Sequence, residues 1–507
     1  MSRPKILTRR ELVAAGTLLG AAAYVPPAWG RLLAEKAFVG PGTFEDGVAS
    51  GEPAPDAVTF WGRLTTERPR SGAKLLVAED EGLTRTVATV VVPTGRAIDG
   101  ALKTRVTGLQ PNRFYFYAWQ STDAVSPVGR TKTAPAADSD VPLNLAYSSC
   151  QNYPVGFFNG HMEAAGLPDL DVYMFLGDYT YEYGPEAGEV PGRAKPTPAL
   201  DLRSYRETLK LYRADPGLRE LHRRHPIVHV WDDHEVADNY TENNPAPSNL
   251  QRTAAYRASF EWLPRMVMPS DRFRIYRETI LGRQAEVILL DQRQYRTGDG
   301  DGQPRRLLGD AQMEYFLGRL RSSQARWKIV GNAVMIAPLK VTAVPVNADQ
   351  WDGYPDDRKR VLDTIADSKV SDVVFLTGDI HTYMANQVLR NADSGPSIAT
   401  EYIGGSITSE GLPDSGGVLE TAVLTGNPWI KQFNGAAKGY GQVGLTREAA
   451  RITYRVSDIT RPGAPHSTLS AYTQPVGVND FTRDAGGAGP VNAGAPAAPT
   501  GRAVRSS

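Results

Sequence analysis

The chain has 507 residues, 41% hydrophobic and 22% charged, which suits a globular protein of two or three domains. Its 56 basic and 56 acidic residues cancel. That balance argues against specific nucleic-acid binding through a global electrostatic footprint and leaves only a local basic patch open.

The first residues read as a targeting segment. A basic start precedes Leu12 to Val25, an apolar stretch too short to span a bilayer comfortably. Arg9 and Arg10 stand just before it, after Thr8, in the twin-arginine arrangement. The competing reading is the basic start of a general secretory signal. Residues 1–37 are expected to be a twin-arginine signal peptide, although no A-x-A site marks the cut. The expected partner is the twin-arginine export machinery. The expected location is secreted, periplasmic or cell-wall associated, without stable membrane insertion.

Residues 43–134 carry short alternating segments rich in β-branched and aromatic residues, such as DAVTFWGRL, AKLLVAED and TRTVATVVVP. They predict a small Ig/fibronectin-like β-sandwich. APAADSDVP, 134–142, reads as a linker. From 142 to 475, strand-length apolar runs alternate with helical patterns at 200–225 and 310–327, which predicts an α/β domain with buried strands. The Ala/Gly/Pro-rich tail 484–507 has almost no large apolar residue and is expected to be disordered.

Four apolar runs carry the chemistry. LNLAYSSCQ leads to Cys150, DVYMFLGDYTYE to Asp178 and Tyr181, PIVHVWDDHE to Asp232, Asp233 and His234, and DVVFLTGDIH to Asp379 and His381. An Asp after one strand is a common cap or turn former. Four strand ends with metal-competent groups are hard to explain that way. If the strands are neighbours, thiolate, carboxylate, phenolate and imidazole converge where α/β folds place their sites. Such a set suits a transition metal with hard-cation positions beside it. Cys150 is the only cysteine, so no internal disulfide can use it, although exported proteins generally pair their cysteines. It is either a small buried hydrophobe or a ligand, and its strand-end position favours the ligand.

FEDGVASGEPAPDAVTFWGRL (44–64), YSSCQNY (147–153), FLGDYTYE (175–182), WDDHEVADNY (231–240), LLDQRQYR (289–296), WDGYPDDR (351–358), TGDIHTYMAN (377–386) and KGYG (438–441) occur in this order. Together they resemble the alkaline phosphatase D (PhoD-type) metallophosphoesterases. The resemblance implies a catalytic domain with a central β-sandwich flanked by helices, which replaces the open sheet suggested by the alternating runs. It also implies an iron(III) and calcium centre that hydrolyses phosphodiesters and phosphomonoesters by metal-activated hydroxide. Cys150, Asp178, Tyr181 and His381 would then hold the iron. Asp178 would bridge to calcium, with Asp233 and Asp379 completing that side. Asp232 remains an alternative to Asp233, and Asn239 is a weaker candidate.

His234 is expected to protonate the leaving oxygen or orient the substrate. Arg293 and Arg296 are expected either to hold phosphate oxygens bidentately or to form structural ion pairs, and Asp291 is a candidate to fix one of them. His161, His222, His225, His229 and His466 lie outside the four strand ends and are assigned to structure. GYGQVG, 439–444, lacks the strand–turn–helix context of a nucleotide loop. Two other functions compete: a phospholipase D-like diesterase acting on lipid head groups, and a non-catalytic binding module. Both the physiological substrate and the oligomeric state stay open.

Overall fold

The computed structural model describes residues 38–185, 189–242, 246–298, 305–341, 344–345, 347–412 and 417–485. The proposed signal segment 1–37 and the tail beyond residue 485 lie outside the described residues.

Two large sheets form the centre. The first has ten strands in the order Thr482–Arg483, His466–Pro475, Ala449–Ser457, Gly439–Leu445, Leu143–Ser148, Val172–Leu176, Pro226–Val230, Val48–Ala54, Ala57–Arg63 and Ala101–Thr107. Leu143–Ser148, Val172–Leu176 and Pro226–Val230 are parallel neighbours. Every residue of the last two is buried. Cover on both faces explains their unbroken apolar runs.

The second sheet has seven strands, Arg277–Leu281, Ala285–Leu289, Trp327–Asn332, Val373–Thr377, Ser397–Gly404, Tyr383–Leu389 and Ile430–Asn434. The sheets share a core that includes Tyr147, Leu176, Leu289, Leu376 and Tyr402. Helices Gly309–Ser322 and Pro355–Asp367 pack Met313, Phe316, Val361 and Ile365 with Ile288, Val330 and Phe375 of the seven-stranded sheet. The central sandwich flanked by helices is therefore present.

The helical pattern at 200–225 is two helices, Leu202–Arg213 and Pro216–Arg224. Asp201 and Ser204 form a capping box at the first. Asp215 caps the second, with Pro216 in its first turn, where a missing N–H costs nothing. GYGQVG is a strand, so no helix N-terminus exists there to take a nucleotide phosphate.

The N-terminal β region differs from a self-contained sandwich. Its four-stranded sheet, Thr86–Gly95, Arg70–Ala78, Phe114–Gln120 and Gly129–Lys132, shares a core with three strands that belong to the ten-stranded sheet. The link is a parallel pairing of Ser50 and Gly51 with Pro226 and Ile227. It closes what would otherwise be two open sheet edges. The pairing of Thr482–Arg483 with Tyr472 and Thr473 carries the sheet past residue 475.

Helix Asn249–Trp262 shows how firmly the two regions join. Its last four carbonyls have no donor within the helix itself and need the C-cap residue or other segments. Leu263 N donates to Ser259 O at 3.1 Å, Lys103 Nζ to Phe260 O, Trp61 Nε1 to Glu261 O at 2.8 Å and Arg213 to Trp262 O at 3.2 Å. Lys103 and Trp61 come from the N-terminal β region. Among the described residues, no helix is long and apolar enough to cross a membrane.

Candidate metal centre

Three adjacent strands of the ten-stranded sheet lead into Cys150, Asp178 and the Asp232–His234 turn. The fourth, Val373–Thr377, lies in the other sheet and leads into Asp379 and His381. The four strand ends are thus not all neighbours in one sheet; they meet across the mouth of the sandwich. Two glycines permit the approach. A Cβ on Gly177 would fall 2.6 Å from Asp232 Cβ, and one on Gly378 would fall 2.7 Å from Ser149 Cβ. Cys150, Asp178, Asn239, Asp379 and His381 all have φ between +50° and +64°. Left-handed backbone is uncommon outside glycine and gathers at functional sites.

Cys150, Asp178 and His381 form one group, with ligand atoms all within 4.8 Å of one another. Tyr181 joins it: Oη donates to Asp178 Oδ2 at 3.1 Å and lies 3.3 Å from His381 Nε2. Ser409 Oγ donates to the same Oη at 2.7 Å. His381 Nδ1 is 2.5 Å from Glu410 O. A carbonyl only accepts, so Nδ1 carries the proton and Nε2 turns its lone pair to the group.

Asp178, Asp233 and His234 form the second group, also within 4.8 Å. Asp178 belongs to both, which makes it the bridge. Asp233 Oδ2 accepts from Asn239 N at 2.7 Å, whereas the Asn239 side chain is exposed and bonds to Asp238. Asp232 Oδ1 is bound by Arg293 Nε, and its Oδ2 has no hydrogen-bond partner among the described residues. Of the two adjacent acids, Asp233 is the one grouped with Asp178. Asp379 Oδ2 accepts from Gln350 Nε2 at 3.0 Å. The His234 ring stacks on Tyr181 at 4.2 Å, and its Nδ1 lies 3.0 Å from Glu182 Oε2.

Arg293 and Arg296 are fully buried and already engaged. Arg293 contacts Asp232 and Asp349, and lies 3.5 Å from Asp233 and 3.9 Å from Asp379. Arg296 binds Asp349 and donates to Gln292 O at 2.8 Å. One nitrogen of each, Nη2, makes no hydrogen bond among the described residues, but both side chains are sealed and ion-paired, so the geometry favours the ion-pair alternative. Asp291 accepts from Trp231 Nε1 and from the backbone N–H of Arg293 and Gln294, and fixes the turn rather than a guanidinium.

Several supporting residues were not foreseen. Glu235 accepts three backbone N–H groups, from Asp178 (3.1 Å), Tyr179 (2.7 Å) and Asp232 (3.0 Å), and so ties two strand ends together. Glu182 positions His234, Ser409 positions Tyr181, and Asp349 joins the two arginines. Glu182 and Glu235 stand inside the quoted motifs, which was the available signal. His161, His222, His225 and His229 are buried, and desolvation holds all four below the ordinary imidazole range. Neither donor group includes them.

The electrostatics fit cations. Burial, then the charges of Asp178 and Asp379, push the Cys150 thiol well above its ordinary value. Burial, then Asp178 and Cys150, do the same to Tyr181. Asp178 is raised by burial and by Asp233 and Asp232, against the opposing pull of His234. Asp379 is pushed up to about 7 by burial, then by Asp232 and Asp349. Asp233 goes the other way: burial opposes its charge, but Arg293 and His234 hold it low. Crowded, desolvated anionic donors that disfavour one another are what a polyvalent cation relieves.

A two-sheet sandwich with acids, a thiol and imidazoles gathered at the strand ends of both sheets defines a metallophosphoesterase-like enzyme. A family model described as PhoD-like phosphatase matches residues 145–454, and one for the N-terminal domain of PhoD-like phosphatases matches residues 32–135. Alkaline phosphatase D of Bacillus subtilis (strain 168) is 33% identical over 470 residues, which cover 85% of this chain and 80% of that protein. The solved structure of PhoD superposes with a TM-score of 0.81 at 30% identity, over 90% of this chain and 94% of the other. Purple acid phosphatase PPD1 from yellow lupin (Lupinus luteus) seeds shares the fold alone, with a TM-score of 0.58 at 13% identity over 86% and 75% of the two chains. The chain belongs to the PhoD-like phosphatase family and is a phosphoester hydrolase.

Proposed function

We propose that this phosphatase is exported by the twin-arginine route and hydrolyses both phosphodiesters and phosphomonoesters with iron(III) and calcium. Cys150, Asp178, Tyr181 and His381 would hold the iron. Asp178, Asp233 and Asp379 would hold calcium, with Asn239 beside Asp233. One observation carries this reading: the donors are sorted about Asp178. A thiol, a phenol and an imidazole lie on one side, while carboxylates predominate on the other. Soft and phenolate donors suit a transition metal, and oxygen donors suit a hard cation.

Metals bound there supply Lewis acidity, which lowers the pKa of water and neutralises charge on phosphoryl oxygens. The protein provides order and proton transfer. Glu182 takes Nδ1 of His234, so Nε2 is the nitrogen left to face the site. From there it hands a proton to the departing alkoxide oxygen. Burial opposes protonation of His234, but the charges of Asp233 and Asp178 and the bond to Glu182 raise its pKa well above the ordinary value. Arg293 and Arg296 act as positioning residues that hold Asp232, Asp233 and Asp349 close together. The test is metal analysis of protein purified after native export, with hydrolysis of bis- and mono-nitrophenyl phosphate. Iron and calcium on the chain with cleavage of both esters is the expected result. A metal-loaded protein that cleaves neither would overturn the reading.

A further inference from the structure

Lys438 opens the run KGYG, just ahead of strand Gly439–Leu445. Its backbone is fixed. The Lys438 carbonyl accepts from Ser457 N at 3.0 Å, and Gly439 N donates to Ser406 O at 2.8 Å. Its Nζ is sealed from solvent, yet it makes no hydrogen bond among the described residues. The position of that nitrogen is marked by Gly411, where a Cβ would lie 2.7 Å from Nζ and 3.1 Å from His381 O. The ammonium therefore sits against the loop that orients the His381 ring through Glu410. Cys150 and Glu410 are the negative groups that act on it.

A desolvated ammonium with three unused donors is costly, and a fold retains one where an anion completes it. The other cations of the centre, Arg293 and Arg296, are held in ion pairs with Asp232 and Asp349, although one nitrogen of each guanidinium makes no hydrogen bond among the described residues. Lys438 has neither an ion pair nor a hydrogen bond at its Nζ among those residues. An ammonium is a compact charge with rotatable donors, suited to one oxygen rather than to a planar fork. Glycine at 411 is what lets the ammonium come this close, since a Cβ there would also meet Gly435 O at 2.0 Å. We propose that Lys438 binds a non-bridging phosphoryl oxygen of the substrate, from the Cys150–His381 side of the centre. This rests on the site reading given above and adds to it the group that receives the phosphoryl charge.

The test uses the metal-loaded full-length protein, inorganic phosphate as probe, and the variants Lys438→Met and Lys438→Arg. Four quantities are read: metal per chain, melting temperature with and without phosphate, the phosphate inhibition constant, and KM against kcat. Lys438→Met should keep its metal and melt no lower than wild type, because it removes an uncompensated buried charge. It should lose the stabilisation by phosphate and raise both the inhibition constant and KM about tenfold or more, the worth of one charged hydrogen bond. Lys438→Arg should keep most of the phosphate response. An unchanged phosphate response in Lys438→Met overturns the proposal. So does loss of metal or failure to fold, either of which makes the ammonium a structural counter-charge to Cys150. Phosphate stabilisation is read without turnover, so an absence of ester hydrolysis in wild type would count against the proposed function and leave this comparison standing.

Discussion

Tyr181 and His381 follow strands in opposite sheets, yet Oη of one lies 3.3 Å from Nε2 of the other. Each is fixed from behind, Tyr181 by Ser409 and His381 by the Glu410 carbonyl. The mouth of the sandwich is thus closed by donor atoms rather than by apolar packing. That arrangement suits a bound cation and costs stability without one.

Cys150 tests the iron side. Loss of a residue that merely orients a ligand costs about 10–100-fold, so loss of the thiolate itself should cost at least that. Cys150→Ser keeps the size but offers a hydroxyl that is a poor anionic donor near neutral pH. It should lose iron, lose visible absorbance and lose most phosphodiester hydrolysis. Cys150→Asp restores an anion and should recover part of the metal. A packing cysteine predicts the reverse order, with Asp worse than Ser. Iron per chain, absorbance and rate decide, and a Ser variant with wild-type iron and rate removes the ligand role.

Glu235 tests how the strand ends are held. Glu235→Ala strands the N–H groups of Asp178, Tyr179 and Asp232, and each buried orphan costs about 1–3 kcal/mol. The variant should melt lower and also lose metal, since one of the three N–H groups belongs to Asp178 and another to Asp232, the neighbour of Asp233. Glu235→Gln keeps one acceptor oxygen and should fall between. Wild-type metal content in Glu235→Ala, measured on folded protein, would show that the strand ends keep their positions without it.

These residues also mark what the sequence could and could not disclose. Cys150, Asp178, the adjacent pair Asp232 and Asp233, and His381 were legible as candidates because strands buried on both faces read as unbroken apolar runs, and a polar group straight after such a run stands out; which of the two adjacent acids is grouped with Asp178 was not legible. Which sheet each run joins was not legible. The pairing of Ser50 with Pro226 links distant segments through backbone alone, and no side-chain pattern announces it. Glu235 looked like any acid near a turn because its role lies in bonds to other loops. Asp349 comes from an irregular stretch with no periodicity. An ion-pair role for the arginines was among their legible readings, but which carboxylates hold them was not.

Chelation tests the calcium side. Oxygen-ligated calcium exchanges readily, whereas a metal held by thiolate and phenolate should not. A calcium-selective chelator should abolish activity within minutes while iron per chain and absorbance stay constant, and added calcium should restore the rate. Full activity in protein shown to contain no calcium would remove that metal from the centre.

Lys103 tests the join between the N-terminal β region and the rest. It caps helix Asn249–Trp262 at Phe260 O and reaches Arg265 O at 3.0 Å. Burial, then the charge of Arg265, lowers its pKa to about 7. The unfolded lysine titrates near 10.4, so between about pH 7 and 10.4 the unfolded chain binds the extra proton. Stability from this group therefore rises with pH across that window, and the cost of burying its charge is fully present below pH 7. Lys103→Met abolishes the titration and the two bonds together. The melting temperature of wild type minus that of Lys103→Met should rise steadily from pH 7 to pH 9.5. Curves that run parallel across that range would show that Lys103 stays charged in the folded protein, held by its two carbonyls.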